Sequence, residues 1–463
     1  MEKGLIRGWS LRNLLGLSVA LNVGLVLRLL SERVEENEGS VHLHGLCEVV
    51  ERQSKEVVES KGGLRSPENG QLRAAEAAGG VVVLKVESGG GGGDDGRIIN
   101  LDHGDPTMYE KFWRLAGDKA TVMIPGWQAM SYFSDPAKVC WFLEPKLEKE
   151  IIRMHSIVEN AVTDDHYVVV GTGSTQLFQA ALYALALKDW VEPISVVSAT
   201  PYYSFHRQVI DYAKSGLYKW AGDADSFSEE GPYIEIVTSP NNPDGVMRLP
   251  RVNRSGGMLI HDFAYYWPQY TPITYVADHD LMLFTVSKSS GHAGMRVGWA
   301  LVKDKEVAKR MTKYIELNSI GVSKDSQLRA AKILQVISDG SEEARGIEAG
   351  LNLFEISYYQ MAERWELLRQ AAKDSELFSL PELPSTFCNY LKRSFKSQPA
   401  FAWMKCEGEI QDCETFLRDH KILTRSGRHF GMSPKYVRIS VLDRDDNFHL
   451  FIKRLSSMSP RDL

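Results

Sequence analysis

The chain has 463 residues, 43% hydrophobic and 25% charged, an ordinary globular composition with room for two or three structural units and a sizeable core. Its 54 basic and 60 acidic side chains give a net charge of −6, the wrong sign for a dedicated nucleic-acid binder. The five cysteines are scattered, with no CxxC and no Cys/His cluster, which argues against a disulfide framework and against a zinc site.

In chain order, the first feature is the apolar run Leu14 to Leu30, preceded by Lys3, Arg7 and Arg12. A basic stretch before an apolar run marks a signal peptide or a signal anchor. The run is short beside the about 17–25 residues of a full span, Arg28 interrupts its far end, and no small-x-small cleavage pattern follows. Residues 1–34 therefore read as an uncleaved single-pass anchor, ahead of a cleaved signal or a buried amphipathic helix. The positive-inside rule would leave the N-terminus cytosolic and carry the rest across the membrane. Residues 35–97 lose all periodicity and contain the glycine run Gly89 to Gly93, the composition of a flexible tether. Within it Val81 to Val86 could form a stray strand but reads better as extended linker.

From Asn100 onward, short apolar runs alternate with helical patterns. Strands are expected at Tyr167–Val170, Ile194–Val197, Tyr233–Val237, Met258–His261, Leu281–Val286 and Val297–Val302, with helices between them such as Gln176 to Leu187. This alternation predicts an α/β fold with a mostly parallel sheet covered on both faces. In such sheets ligands gather at the carboxyl ends of strands. A long helical segment, Ser323 to Asp374, leads into a mixed region that closes with a strand at Tyr436–Val441 and a helix near Asp446–Leu455. We expect a large domain over 98–335 and a smaller α+β domain over 336–463.

Four strand ends carry chemistry. The first opens a helix with GTGSTQ (Gly171 to Gln176), where backbone N–H groups, Ser174 and Thr175 suit a phosphate, although ordinary capping explains the same residues. The second is TSPNNPDG (Thr238 to Gly245), a stiff turn able to hold an amide side chain in one orientation. The third ends in Asp262 beside Phe263, Tyr265, Tyr266 and Trp267, an acid poised for a buried cation or a simple cap. The fourth is SKSSGHAGMRVGW (Ser287 to Trp299), which sets Lys288 at the end of a buried strand, where desolvation favours a nucleophile or base. His261 and His292 read as packing residues, and Trp127, Trp267 and Trp299 as core filling in preference to an aromatic pocket.

In this order GTGSTQ, TSPNNPDG, HDFAYYWP and TVSKSSGHAGMRVGW resemble the fold-type-I pyridoxal-phosphate enzymes. More closely, the chain is similar to the plant alliinase / tryptophan aminotransferase-related family, over nearly everything from Asn100 onward. YYWPQYTPIT and SIGVSKDSQ match its aminotransferase branch, and the N-terminal segment matches its membrane-anchored members, implying an endoplasmic-reticulum membrane location. The resemblance implies pyridoxal 5'-phosphate held covalently by Lys288, with Asp262 on the pyridine nitrogen and Asn242 and Tyr265 on the phenolic oxygen. Ser174, Thr175, Thr285, Ser287 and Arg296 would take the phosphate, and Tyr132 would reach the phosphate of a neighbouring subunit in a homodimer with composite sites. Arg438 would clamp the substrate α-carboxylate. The implied reaction moves an amino group from L-tryptophan to pyruvate, giving indole-3-pyruvate, the first step of plant auxin synthesis.

Two rival readings stand beside this one. An alliinase-type carbon–sulfur lyase would use the same cofactor and the same Lys288 on S-alkyl-cysteine sulfoxides, but alliinases carry a cysteine-rich module ahead of the catalytic part, and here only Cys47 lies in that region. A non-catalytic, membrane-tethered binding protein is disfavoured by the presence of every residue that the chemistry requires.

Overall fold

The computed structural model describes residues 96–186, 192–252, 254–344 and 351–460. The expected anchor, the tether up to residue 95 and the Val81–Val86 segment lie outside the described residues. Among the described residues no helix is long and apolar enough to cross a membrane.

The described chain opens with a short strand, β1 (Ile99–Asn100), and a helix, α1 (Glu110–Ala116), followed by α2 (Pro145–Val158). The central sheet is then laid down by β2 (Tyr167–Gly171), α3 (Gly173–Ala186), β3 (Ile194–Ser198), α4 (Ser204–Ala213), β4 (Tyr218–Asp223), β5 (Tyr233–Thr238) and β6 (Gly257–Asp262). It is completed by β7 (Leu281–Thr285), the short helix α5 (Val286–Ser289) and β8 (Gly298–Val302). The seven strands run in the order β2-β8-β7-β6-β5-β3-β4. All neighbours pair in parallel except β8, which is antiparallel to both β2 and β7. Every residue of β3, β5, β7 and β8 is buried, as expected of a sheet covered on both faces, whose strands read as continuous apolar runs. The six expected strands are present within a residue at most ends. The edge strand β4 was not expected: its sequence YKWAGD is half-exposed and carries Gly222, so neither apolar continuity nor alternation marks it.

The helical segment read as continuous from Ser323 is two helices, α6 (Lys305–Ser319) having come just before. Ser323 caps α7 (Lys324–Glu343) by accepting from the Ser326 N–H, and Asn352 opens α8 (Leu353–Ser375) by accepting from the N–H groups of Phe354 and Glu355. A capping asparagine marks a new helix start, so the apolar periodicity runs through a real boundary. Beyond it lie β9 (Phe378–Ser379), a hairpin of β10 (Ser385–Cys388) with β11 (Arg393–Lys396), β12 (Phe401–Cys406), α9 (Cys413–Asp419), β13 (Ile422–Leu423), β14 (Arg425–Ser426), β15 (Tyr436–Ser440) and α10 (Asp445–Ser457). A four-stranded sheet, β14-β15-β12-β9, forms here, and α10 packs on α8.

One covalent feature corrects the sequence reading. Cys406 and Cys413 form a disulfide, their Cα atoms 5.6 Å apart, because the turn from β12 into α9 folds back on itself. Seven residues of spacing carry no local signal for this. Trp267 and Trp299 are fully buried core residues as expected, whereas Trp127 is 71% exposed and fills no core. Under the sheet, His155 accepts from Trp299 Nε1 at 3.0 Å on Nε2, and its Nδ1–H meets Asn160 Oδ1 at 2.7 Å. Burial holds this imidazole neutral, with its pKa pushed down to about 4.

Candidate active site

The carboxyl ends of β5, β6 and β7 converge on one place. Lys288 stands in α5, directly after β7, so its backbone is fixed by the sheet. Thr285 caps α5, its Oγ1 accepting from the Ser287 N–H at 3.1 Å. The Lys288 carbonyl accepts from Gln269 Nε2 at 3.3 Å and from Tyr270 OH at 3.2 Å, and Tyr270 is itself paired with Tyr109 at 2.6 Å. The amine donates to the Gly104 carbonyl at 2.5 Å and lies 5.6 Å from the Tyr265 ring centre. Desolvation, helped by the positive charges of Arg438 and Arg296 and opposed by Asp105, pushes the Lys288 ammonium down to about 8.

Asp262 closes β6, 8% exposed. One carboxylate oxygen accepts from the Ala264 N–H at 3.1 Å, and the other lies 3.6 Å from His206 Nε2, an electrostatic contact rather than a hydrogen bond. Tyr265 follows within the same turn, and burial raises its phenol well above the ordinary range. Beyond β5, Asn242 is buried and its Oδ1 accepts from Arg438 Nη1 at 3.2 Å. The turn carrying it is as stiff as its sequence predicts. Asn241 Nδ2 donates to the Pro201 carbonyl at 2.9 Å and to Asp244 Oδ1 at 2.8 Å, and Arg248 grips Asp244 at 2.9 Å. Gly245 sits at φ +72°, where a Cβ would fall 2.0 Å from Pro399 Cγ.

Arg438, on β15, brings the smaller sheet into the site. Its Nη2 donates to the Asp102 carbonyl, its guanidinium carbon lies 4.2 Å from the Phe401 ring centre, and its Nε finds no partner among the described residues. Burial lowers its pKa to about 10, which leaves it charged at neutral pH.

On the other side, α3 begins beside Arg296. At Gly173 (φ +73°) a Cβ would lie 2.4 Å from Arg296 Nη2, and at Gly298 one would lie 2.7 Å from the Ser174 nitrogen. Thr285 Oγ1 bonds Ser287 Oγ at 3.0 Å and the Val297 carbonyl at 3.1 Å, so both hydroxyls border the same close approach. A 14-residue helix thus points its N-terminus, Ser174 and Thr175 at a cationic side chain, an arrangement that suits an anion.

Of the sequence-predicted residues, Lys288, Asp262, Asn242, Tyr265 and Arg438 are brought together, and Ser174, Thr175, Thr285, Ser287 and Arg296 form the adjoining cradle. Tyr132 is not: it is 69% exposed, on a segment with exposed Met123, Trp127, Met130 and Phe133. Sequence reading passed over Tyr203 and His206, which follow β3. His206 is buried, its ring 5.2 Å from Tyr203, and its Nδ1 has no partner among the described residues. Tyr203 lies near Arg438 and Asp262, and burial raises its pKa. The strand-end rule applied at β2, β5, β6 and β7 finds both when applied at β3. Asp102 and Gly104 had no such signal, since they reach the site from the far end of the chain.

A desolvated amine, an anion cradle, a buried carboxylate and amide and phenol groups together make a donor set that fits pyridoxal phosphate. The glycines that let backbone approach Arg296 and Ser174 are the clearest sign of that fit.

The Alliinase_C family model, described as allinase, matches residues 99–459. Tryptophan aminotransferase-related protein 2 of Arabidopsis thaliana is 54% identical over 452 residues, 97% of either chain. Its namesake from Oryza sativa subsp. japonica is 58% identical over 78% of this chain and 73% of its own length. An alliin lyase of Allium cepa var. aggregatum is 37% identical over 78% of this chain and 82% of its own. Among solved structures, an aspartate aminotransferase from Rhizobium meliloti shares the fold at TM-score 0.57 and 17% identity, covering 78% of this chain and 91% of its own. The chain therefore belongs to the plant alliinase / tryptophan aminotransferase-related family and has a fold-type-I aminotransferase fold, which together imply pyridoxal phosphate as cofactor.

Proposed function

We propose that the chain is a pyridoxal-phosphate aminotransferase that takes the amino group of L-tryptophan and gives it to pyruvate, yielding indole-3-pyruvate and L-alanine for auxin synthesis. The observation that carries the chemistry is the Lys288 amine, depressed to about 8, between the Arg438 guanidinium and the strand end that holds Asp262. The choice of transfer over carbon–sulfur cleavage is supported by the greater identity to tryptophan aminotransferase-related protein 2 of Arabidopsis thaliana and of Oryza sativa subsp. japonica than to the alliin lyase.

The cofactor supplies an electron sink for the charge released at the substrate Cα. Lys288 Nζ would hold the cofactor between turnovers and, once the substrate amine displaces it, its free amine would be placed to take the Cα proton. Asp262 would keep the pyridine nitrogen protonated, with His206 Nε2 3.6 Å from its carboxylate. The Oδ1 of Asn242 is taken by Arg438, so the amide's donor end remains to meet the phenolic oxygen together with Tyr265. Arg438 clamps the α-carboxylate by charge-assisted bonds. Ser174, Thr175, Thr285, Ser287 and Arg296 would hold the phosphate. The exposed apolar segment around Trp127 and Tyr132 supports a homodimer, in which Tyr132 reaches the phosphate of the second copy.

Residues 1–34 anchor this enzyme in the endoplasmic-reticulum membrane. The Cys406–Cys413 disulfide supports a catalytic part on the oxidising, lumenal side, in keeping with the basic residues ahead of the apolar run. In sealed microsomes a lumenal part resists added protease until detergent is present, and digestion without detergent would contradict that side.

The test of function offers the holoenzyme L-tryptophan with pyruvate and, separately, an S-alkyl-cysteine sulfoxide. Indole-3-pyruvate with alanine is the expected product pair. Pyruvate and ammonia from the sulfoxide, with no indole-3-pyruvate from the first mixture, would make the protein a lyase.

A further inference from the structure

We infer that Asp102 is a specificity-determining residue: by occupying Arg425 it confines the site to monocarboxylic partners and turns away substrates with a second carboxylate. The inference rests on the aminotransferase reading and names the substrate class within it.

Arg425 of β14 stands directly opposite Arg438 of β15 in antiparallel register. Opposed residues leave the same face of a sheet with Cβ atoms about 4.5–5.5 Å apart, and like charges so placed repel. Asp102 answers both. Its carboxylate Oδ1 accepts from Arg425 Nε at 2.5 Å, and its backbone carbonyl accepts from Arg438 Nη2. The consequences for the two arginines differ. Among the described residues Arg425 has its charge matched by a carboxylate, whereas Arg438 meets only neutral oxygens, from Asp102 and Asn242, and keeps an unpartnered Nε. One of the two cations is therefore available to a substrate anion and the other is already answered.

Asp102 is held in place by backbone. β1 pairs in parallel with β13, the Leu101 N–H donates to the Leu423 carbonyl at 2.9 Å, and the Asp102 N–H donates to Asn100 Oδ1 at 3.1 Å. The pair is also within reach of a ligand, the Arg425 and Asp102 side chains being 30% and 37% exposed. An oxo acid with its α-carboxylate on Arg438 would bring a second carboxylate toward Arg425 and against the fixed charge of Asp102. An apolar or aromatic side chain meets no such opposition, and the Phe401 and Phe430 rings lie 4.2 and 5.3 Å from the Arg438 guanidinium carbon. The acceptor class is thus small monocarboxylic 2-oxo acids, and acidic amino acids are excluded as donors.

The test compares holoenzyme and its Asp102→Asn variant with L-tryptophan and either pyruvate or 2-oxoglutarate. Freeing Arg425 should raise the kcat/KM ratio of 2-oxoglutarate to pyruvate about tenfold or more. Adding Arg425→Gln to that variant should remove the gain. Arg425→Gln alone, which leaves Asp102 unopposed, should lower the ratio below that of the unaltered enzyme and covers the case in which Asp102→Asn does not fold. Binding of unreactive succinate against propionate, read by calorimetry, should move in parallel. A ratio unchanged by Asp102→Asn, or raised by Arg425→Gln alone, would overturn the inference. Should the enzyme transfer no amino group to any oxo acid, the aminotransferase reading fails, and the succinate–propionate comparison still decides the role of Asp102.

Discussion

At Lys288 the balance of charges is lopsided in a useful direction. Lysine in water titrates near 10.5, and a drop to about 8 raises the neutral, nucleophilic fraction at a given neutral pH roughly 300-fold. Burial contributes most, Arg438 next, and Asp105 opposes both. Arg438 therefore acts twice, as repeller of the lysine proton and as candidate clamp for the substrate carboxylate. Arg438→Ala should raise the pH midpoint of pyridoxal-phosphate uptake by the apoprotein, because a repelling charge is gone. It should also raise KM by a factor worth about 1.5–3 kcal/mol, the range for a charged hydrogen bond. An unchanged kcat/KM would remove Arg438 from substrate binding, and an unmoved uptake midpoint would remove it from tuning the lysine.

Among elements, the strand ends were the legible part of the molecule. Apolar runs identified six strands of the central sheet, and the residues just past four of them are the residues that meet at the site. Such strands are buried on both faces, so their signal is local and strong. What sequence reading missed is non-local or weak. Strand β4 lies at an edge, Tyr203 and His206 follow β3, and the disulfide joins the end of β12 to the start of α9. The strap from β1 to Asp105 is the largest omission, since it reaches Lys288 across 184 positions of sequence. Its contact depends on Gly104, where a Cβ would lie 2.7 Å from Phe401 Cζ and 3.2 Å from Lys288 Nζ. Overpacking of this kind costs about 1–3 kcal/mol. Gly104→Ala should lower the thermal midpoint and slow cofactor uptake, and a variant that matches the unaltered protein in both would show that the strap does not position the lysine.

For the molecule as a whole, neutral histidines that are buried or partly buried set the acid limit. His155, His261 and His292 are all depressed by burial, to about 4, 3 and 4 from an ordinary 6.5. Below pH 6.5 the unfolded chain binds protons that the folded chain refuses, so stability falls with pH until the folded groups titrate. The urea midpoint should decline from pH 7 toward pH 4, and His155→Gln should flatten part of that slope. A slope identical in that variant would place the acid sensitivity elsewhere. The same scale holds the parts that composition alone could suggest, the anchor and the tether, whose signal is the run from Leu14 to Leu30 and the glycines from Gly89 to Gly93.

The central claim is that this site moves an amino group from one carbon skeleton to another. The direct measurement follows the nitrogen: full-length holoenzyme is given L-tryptophan labelled at its α-amino nitrogen together with unlabelled pyruvate, and products are resolved by mass. Label in alanine, with unlabelled indole-3-pyruvate in equal amount, is the predicted result and should vanish in Lys288→Ala. Label released as free ammonium with no labelled alanine would contradict it.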